Sequence, residues 1–142
     1  MDNLIRASEQ ISLFCRINVN TRRELPIRSS EMGMLIYLVK TEEEKTPNGV
    51  ARFFRFTKSM ATNMVTSLSA NGYIVKKQSE TDKRSFLLIP TDKAIQLVED
   101  TYEEYFKIMS VLETRMGEKK FSDFLVLLET ANNILLEEKN NG

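Results

Sequence analysis

Apolar residues recur at helical spacing along most of the chain, and the interruptions mark its organisation. From about Asp2 to Asn18, Leu4, Ala7, Ile11 and Phe14 stand at 3-4-3 intervals, which predicts a first amphipathic helix. The polar stretch NVNTRRELP breaks it. Ser29 or Ser30, with Glu31 in the first turn, then opens a second helix to about Lys40, with Met32, Leu35, Ile36 and Val39 on one side. After the solvated TEEEK, Thr46-Pro47 starts a short third helix. A hydroxyl cap is followed there by a residue whose missing N–H costs nothing in the first turn.

Phe54 and Phe56 close that third helix, and Thr57 caps the next. Between Lys58 and Ala70, Met60/Ala61, Met64/Val65 and Leu68 form one face, while Lys58, Ser59, Thr62, Asn63, Thr66 and Ser67 crowd the other. Asn71-Gly72 ends the helix as a left-handed cap. A short helix, a tight turn and a further helix with a small-polar outer face follow helix-turn-helix grammar. Tyr73–Lys77 and Phe86–Ile89 read as antiparallel strands around a turn that holds Asp82, Lys83 and Arg84. A hairpin that only closed a sheet would carry Gly or Asn at its tip rather than these cations.

Thr91 caps a long helix in which Val98, Tyr102, Tyr105, Met109, Leu112 and Met116 keep a 4-3-4-3-4 spacing, the seam of a helix packed along its length. Gly117 interrupts it. A last helix, about Glu118 to Lys139, repeats the device with Phe121, Phe124/Leu125, Leu128, Ala131 and Leu135. No internal repeat or low-complexity tract appears.

Composition narrows the chemistry. With 142 residues, 42% hydrophobic and 28% charged, the chain suits one soluble domain with a real core. No stretch reaches the apolar length of a membrane span, and MDNLIRASEQ is no signal peptide. One cysteine excludes an internal disulfide and points to a reducing cytoplasm. Without histidine, a His-assisted nucleophile is excluded, as are the common Cys/His zinc sets, so neither cofactor nor metal is expected. Net charge is zero, yet residues 51–90 hold seven Lys/Arg against two acids, and residues 91–142 hold six against eleven. A basic middle between neutral and acidic flanks is the footprint of a local polyanion contact.

The order of elements, with NGVARFFRFTKSMATNMVTSLSANGYIVKK followed by TDKRSFLLIPTDKA, resembles the multiple-antibiotic-resistance regulator (MarR) family of winged-helix repressors over essentially the whole chain. Leu68, three residues, Gly72 and a strand match the end of that family's helix-turn-helix, and Asp82-x-Arg84 before a strand and a helix start matches its wing. Pro90 stands where a leucine is usual, and Ala94 near a frequent glycine.

The resemblance implies an α+β, mainly α fold. Residues 1–28 and 91–142 would be dimerisation helices, and residues 29–90 a winged-helix lobe that binds double-stranded DNA. It implies Arg84 in a minor groove, oriented by Asp82, with Lys83 on phosphate. On the recognition helix it implies Lys58, Ser59, Met60, Thr62, Asn63 and Thr66 toward the major groove, with Arg55, Lys58, Lys76 and Lys77 setting register on phosphates. A homodimer on a pseudo-palindromic operator, released by a small aromatic or phenolic effector, completes the expectation.

Cys15 beside Arg16 in the first helix, with Tyr37 in the second, resembles the hydroperoxide-sensing members; the bland reading is a small packing residue. RFFRF could be a stacking platform for single strands, but its register puts Phe54 and Phe56 in the core. Two rivals stay open: a winged-helix protein-interaction module without DNA binding, and a carboxylate hydrolase built on Glu42–Glu44 or Glu103-Glu104. The interaction module would not need the basic middle, and the acids that a hydrolase would use fall where solvated faces are expected.

Overall fold

The computed structural model describes residues 2–21, 25–43 and 45–141. Along them run α1 (Asn3–Thr21), α2 (Ser29–Lys40), α3 (Pro47–Phe54), α4 (Lys58–Ala70), β1 (Ile74–Gln78), β2 (Phe86–Pro90), α5 (Asp92–Tyr105), α6 (Lys107–Met116) and α7 (Glu118–Asn141). The hydrophobic pattern predicts this mainly helical order except for the division of α5 from α6, and the arrangement is the winged helix that the family resemblance implies. The chain divides into two compact units, Arg23–Glu103 and Met1–Arg22 with Glu104–Gly142.

In the first unit, α2 to α5 and the hairpin share one core. Met32, Met34, Leu35, Val50, Leu68, Ala94 and Val98 are sealed from solvent, with Met64, Val65, Tyr73, Ile74 and Leu88 nearly so. The strands pair antiparallel in the register Ile74↔Pro90 to Gln78↔Phe86. On the other edge of β2, the Leu88 N–H donates to the Lys45 carbonyl (2.8 Å), which ties the hairpin to the approach of α3.

The α2 cap differs from expectation. Ser29 and Ser30 are already helical, and Arg28 holds the cap position. Glu31 reaches back to accept from the Arg28 backbone N–H (3.0 Å) and from its Nε (3.2 Å). A carboxylate three residues into a helix can reach back in this way whatever residue occupies the cap.

In the second unit, Phe14 of α1 lies 6.1 Å from Phe124 of α7, ring to ring. The helix expected to run unbroken from Thr91 to Met116 leaves helical geometry at Phe106 (φ −98°, ψ 7°) and resumes at Lys107. No Pro or Gly stands there; the break coincides with edge-on packing of the Tyr105 and Phe106 rings at 4.9 Å. Gly117 (φ 88°) separates α6 from α7, a conformation that only glycine adopts without strain.

Candidate nucleic-acid interface

Local capping chemistry builds the helix-turn-helix. Thr46 Oγ1 accepts from the Gly49 N–H (3.0 Å), and Pro47 takes the first helical position of α3. Thr57 Oγ1 accepts from the Met60 N–H (3.1 Å) to start α4. Between them the chain reverses at Arg55, whose φ of 59° and ψ of 34° are left-handed. The Phe56 N–H returns to the Ala51 carbonyl (2.9 Å), as in a glycine-type helix stop. Arginine in that conformation carries a cost that glycine would avoid. No Gly lies between Phe54 and Thr57, so residue types alone carry no sign of this turn.

In α4, Ala61, Met64, Val65 and Leu68 turn inward and are buried. Lys58, Ser59, Met60, Thr62, Asn63 and Thr66 are all exposed, so one helix offers them together. Met60 leaves the apolar face assigned to it and is 43% exposed, because it sits in the first turn beyond the core. The Thr62 hydroxyl donates to the Lys58 carbonyl (2.9 Å), and the residue stays exposed. The helix ends in paired stops. The Tyr73 N–H donates to the Leu68 carbonyl (2.9 Å) and the Gly72 N–H to that of Ser69 (3.1 Å), with Gly72 at φ 80°.

The wing tip is stapled by short polar side chains. Asp82 Oδ1 accepts from the backbone N–H of Arg84 (3.0 Å), and the Asp82 N–H donates to Ser79 Oγ (3.2 Å). The Gln78 amide donates to the Lys83 carbonyl (2.8 Å). Asp82 therefore orients Arg84 through the backbone, as Asp does in an Asx turn. Lys83 and Arg84 stand exposed at the tip, and Lys76 and Lys77 are exposed along β1. Every basic residue of the 51–90 segment (Arg52, Arg55, Lys58, Lys76, Lys77, Lys83 and Arg84) is solvent-exposed, so none is spent on the core.

In the same unit, Glu31 is 3% exposed. Burial alone would raise its pKa. The Ser67 hydroxyl of α4 and the backbone and side chain of Arg28 outweigh that and hold the carboxyl below its ordinary value.

Cys15 and Tyr37 fall in different units. Cys15 is exposed, and the neighbouring Arg16 guanidinium is bonded to Ser12 Oγ (3.0 Å). Tyr37 stacks on Phe53 (4.1 Å) and meets Phe54 edge-on (5.5 Å), with Lys45 Nζ 5.0 Å from its ring centre. Phe53, which the helical spacing leaves unassigned, thus belongs to an aromatic cluster. Phe54 and Phe56 stack at 5.2 Å and are half-buried, so they lie at the margin of the core rather than inside it as expected.

Residues 29–86, the segment that builds this surface, match the MarR family. The chain carries a MarR-family domain over that segment. Proteins of that family are DNA-binding transcriptional regulators and not enzymes. A relative, the HTH-type transcriptional regulator BilQ of Clostridioides difficile (strain CD3), is 24% identical over 104 residues, covering 72% of this chain and 70% of that protein. Among solved structures, Staphylococcus aureus MepR in its DNA-binding conformation superposes with a TM-score of 0.78 at 18% identity, over 94% of this chain and 99% of that one. The MepR–DNA complex gives 0.67 at 19% identity, over 75% and 79%. At these identities the structural likeness speaks for the MarR fold.

Proposed function

We propose that this MarR-family regulator works as a homodimer that represses transcription by occupying a pseudo-palindromic operator, and that a small aromatic or phenolic effector releases it. The observation that carries this reading is the division of α4. Its apolar side is consumed by the core, while a polar side of Lys58, Ser59, Thr62, Asn63 and Thr66 stays exposed in the unit that also presents Arg84 on a wing. Asn63 can bond an adenine edge in paired fashion, and Thr62 or Met60 can touch a thymine methyl. The cations Arg55, Lys58, Lys76, Lys77 and Lys83 would hold phosphates, and Arg84 would enter a narrow, strongly negative minor groove. MepR, a neighbour in fold, has been solved bound to DNA, which supports this use of the architecture.

Twofold pairing would set two recognition helices about 34 Å apart, one turn of the duplex. A cavity of about 660 Å³ in the terminal-helix unit is lined by Ile17, Tyr105, Phe106, Met109 and Leu112, among others. Its apolar and aromatic walls suit a small aromatic effector. Such a ligand shifts the binding equilibrium only by its differential affinity for two dimer geometries, on the order of 1–3 kcal/mol.

Selection of binding sites from random duplex DNA with the purified protein tests the reading, and two variants sharpen it. Asn63→Ala should relax base preference at one position per half-site, at a cost of about 1–3 kcal/mol there. Arg84→Ala should weaken binding and flatten the salt dependence by about one unit. Recovery of no sequence motif by the unaltered protein would favour the protein-interaction alternative.

A further inference from the structure

The C-terminal end of α4 is held by side chains from the start of α5, about twenty residues further along the chain. Thr91 Oγ1 lies 2.7 Å from the Gly72 carbonyl and 3.1 Å from that of Tyr73. The shorter contact gives the single hydroxyl proton to Gly72, while the Tyr73 carbonyl receives the Thr91 backbone N–H (3.0 Å). The same oxygen accepts from the Ala94 N–H (3.3 Å) and so caps α5. One hydroxyl thus closes the end of one helix and opens the next.

Lys93 adds a further tie. Its Nζ donates to the Asn71 carbonyl (2.7 Å) and lies 4.4 Å from the centre of the Tyr73 ring. A cation at a helix C-terminus meets the negative end of the helix dipole. The carbonyls of Asn71 and Gly72, which no helical N–H can reach, are therefore answered from α5. That helix starts in the winged-helix unit and ends, at Glu104 and Tyr105, in the other.

We infer that Thr91 and Lys93 form a latch that fixes the pose of the recognition helix relative to α5, and that they set operator affinity without touching DNA. This rests on the DNA-binding reading above. Both are positioning residues, acting through α4.

The test uses full-length protein and a duplex selected from random DNA by the unaltered chain. Thr91→Val, which keeps the shape and loses the hydroxyl, should weaken binding about tenfold with the salt slope unchanged. Thr91→Ser, which keeps the hydroxyl, should stay within about twofold. Lys93→Met should weaken binding severalfold, again at constant slope. Affinities are scaled to the active fraction, so that partial unfolding does not count as weaker binding.

Amide hydrogen exchange is a readout that needs no DNA. Thr91→Val should speed exchange at Asn71, Gly72 and Tyr73 while the amides of α2 keep their protection. Wild-type affinity in Thr91→Val, a Ser variant as weak as the Val variant, or a uniform rise in exchange would each overturn the latch. A salt slope lowered by one in Lys93→Met would overturn its part, since that marks a phosphate contact. Should Thr91→Val not fold, Lys93→Met decides by the same two measurements. If the unaltered protein selects no duplex, the DNA reading fails, and exchange at residues 71–73 still decides whether the latch exists.

Discussion

In the winged-helix unit, Met32, Leu35, Val50 and Leu68 lose all contact with solvent, whereas in the terminal helices Leu4, Leu127 and Leu135 keep 78%, 69% and 67% of theirs. No side chain of α6 or α7 is buried. Both regions carry apolar residues at helical spacing, yet the outcomes are opposite. The first region finds its cover within the same chain, in two strands and four helices that converge on one core. The other is left with an apolar surface of the kind that marks an interaction site. Periodicity tells which side of a helix needs cover; it does not say whether that cover is intramolecular. A second copy of the chain is the cover we propose.

The widest separation between the regions should come from leucines of each. Leu127→Asp combined with Leu135→Asp should convert the proposed dimer to monomer in sedimentation and lower operator affinity by about 100-fold or more, since one half-site must then bind alone. Leu68→Ala should leave assembly intact and cost about 2–5 kcal/mol in urea unfolding, because it opens a cavity in a sealed core. A leucine pair that tolerates aspartate and remains dimeric would erase the distinction.

Arg55→Gly probes a narrower contrast, between stability and binding inside the winged-helix unit. Relief of the left-handed strain, offset by the greater chain entropy of glycine, should raise stability by about 0.5–1 kcal/mol. The salt slope should fall by about one if the guanidinium holds a phosphate. A stability gain with unchanged slope would show the arginine to be dispensable for DNA.

The smallest effect concerns Glu31. Its folded-state pKa lies below the unfolded value, so its stabilisation is present above about pH 4.5 and fades as pH falls through the folded pKa. Glu31→Gln should therefore unfold more easily than the unaltered chain at neutral pH, with the gap narrowing as pH falls below about 4.5. A gap that stays constant over that range would detach Glu31 from the pH dependence.

Much of this organisation was legible because it is local. Thr46, Thr57 and Thr91 were recognisable as caps, since a hydroxyl ahead of an apolar run answers an amide only three residues away. Gly72 read as a helix stop for a similar reason. The segregation of α4 into buried and polar sides followed from spacing alone, and so did the exposed cations of the hairpin. The MarR resemblance rested on those same short-range features.

Sequence thus determined the starts, stops and buried sides of most elements, because capping and periodicity act within one or two turns. Tertiary structure decided the rest. It placed Arg55 in a left-handed turn, moved the α2 cap to Arg28, broke the long helix at Phe106 and joined Thr91 and Lys93 to the far end of α4. The Arg28–Glu31 contact and the Phe56–Ala51 bond span only a few residues but carry no mark in residue type. The ties of Thr91 and Lys93, by contrast, join groups that meet only after the chain has folded. A carbonyl nineteen residues from a hydroxyl is invisible to any local pattern, and so is the surface that a helix turns toward a partner.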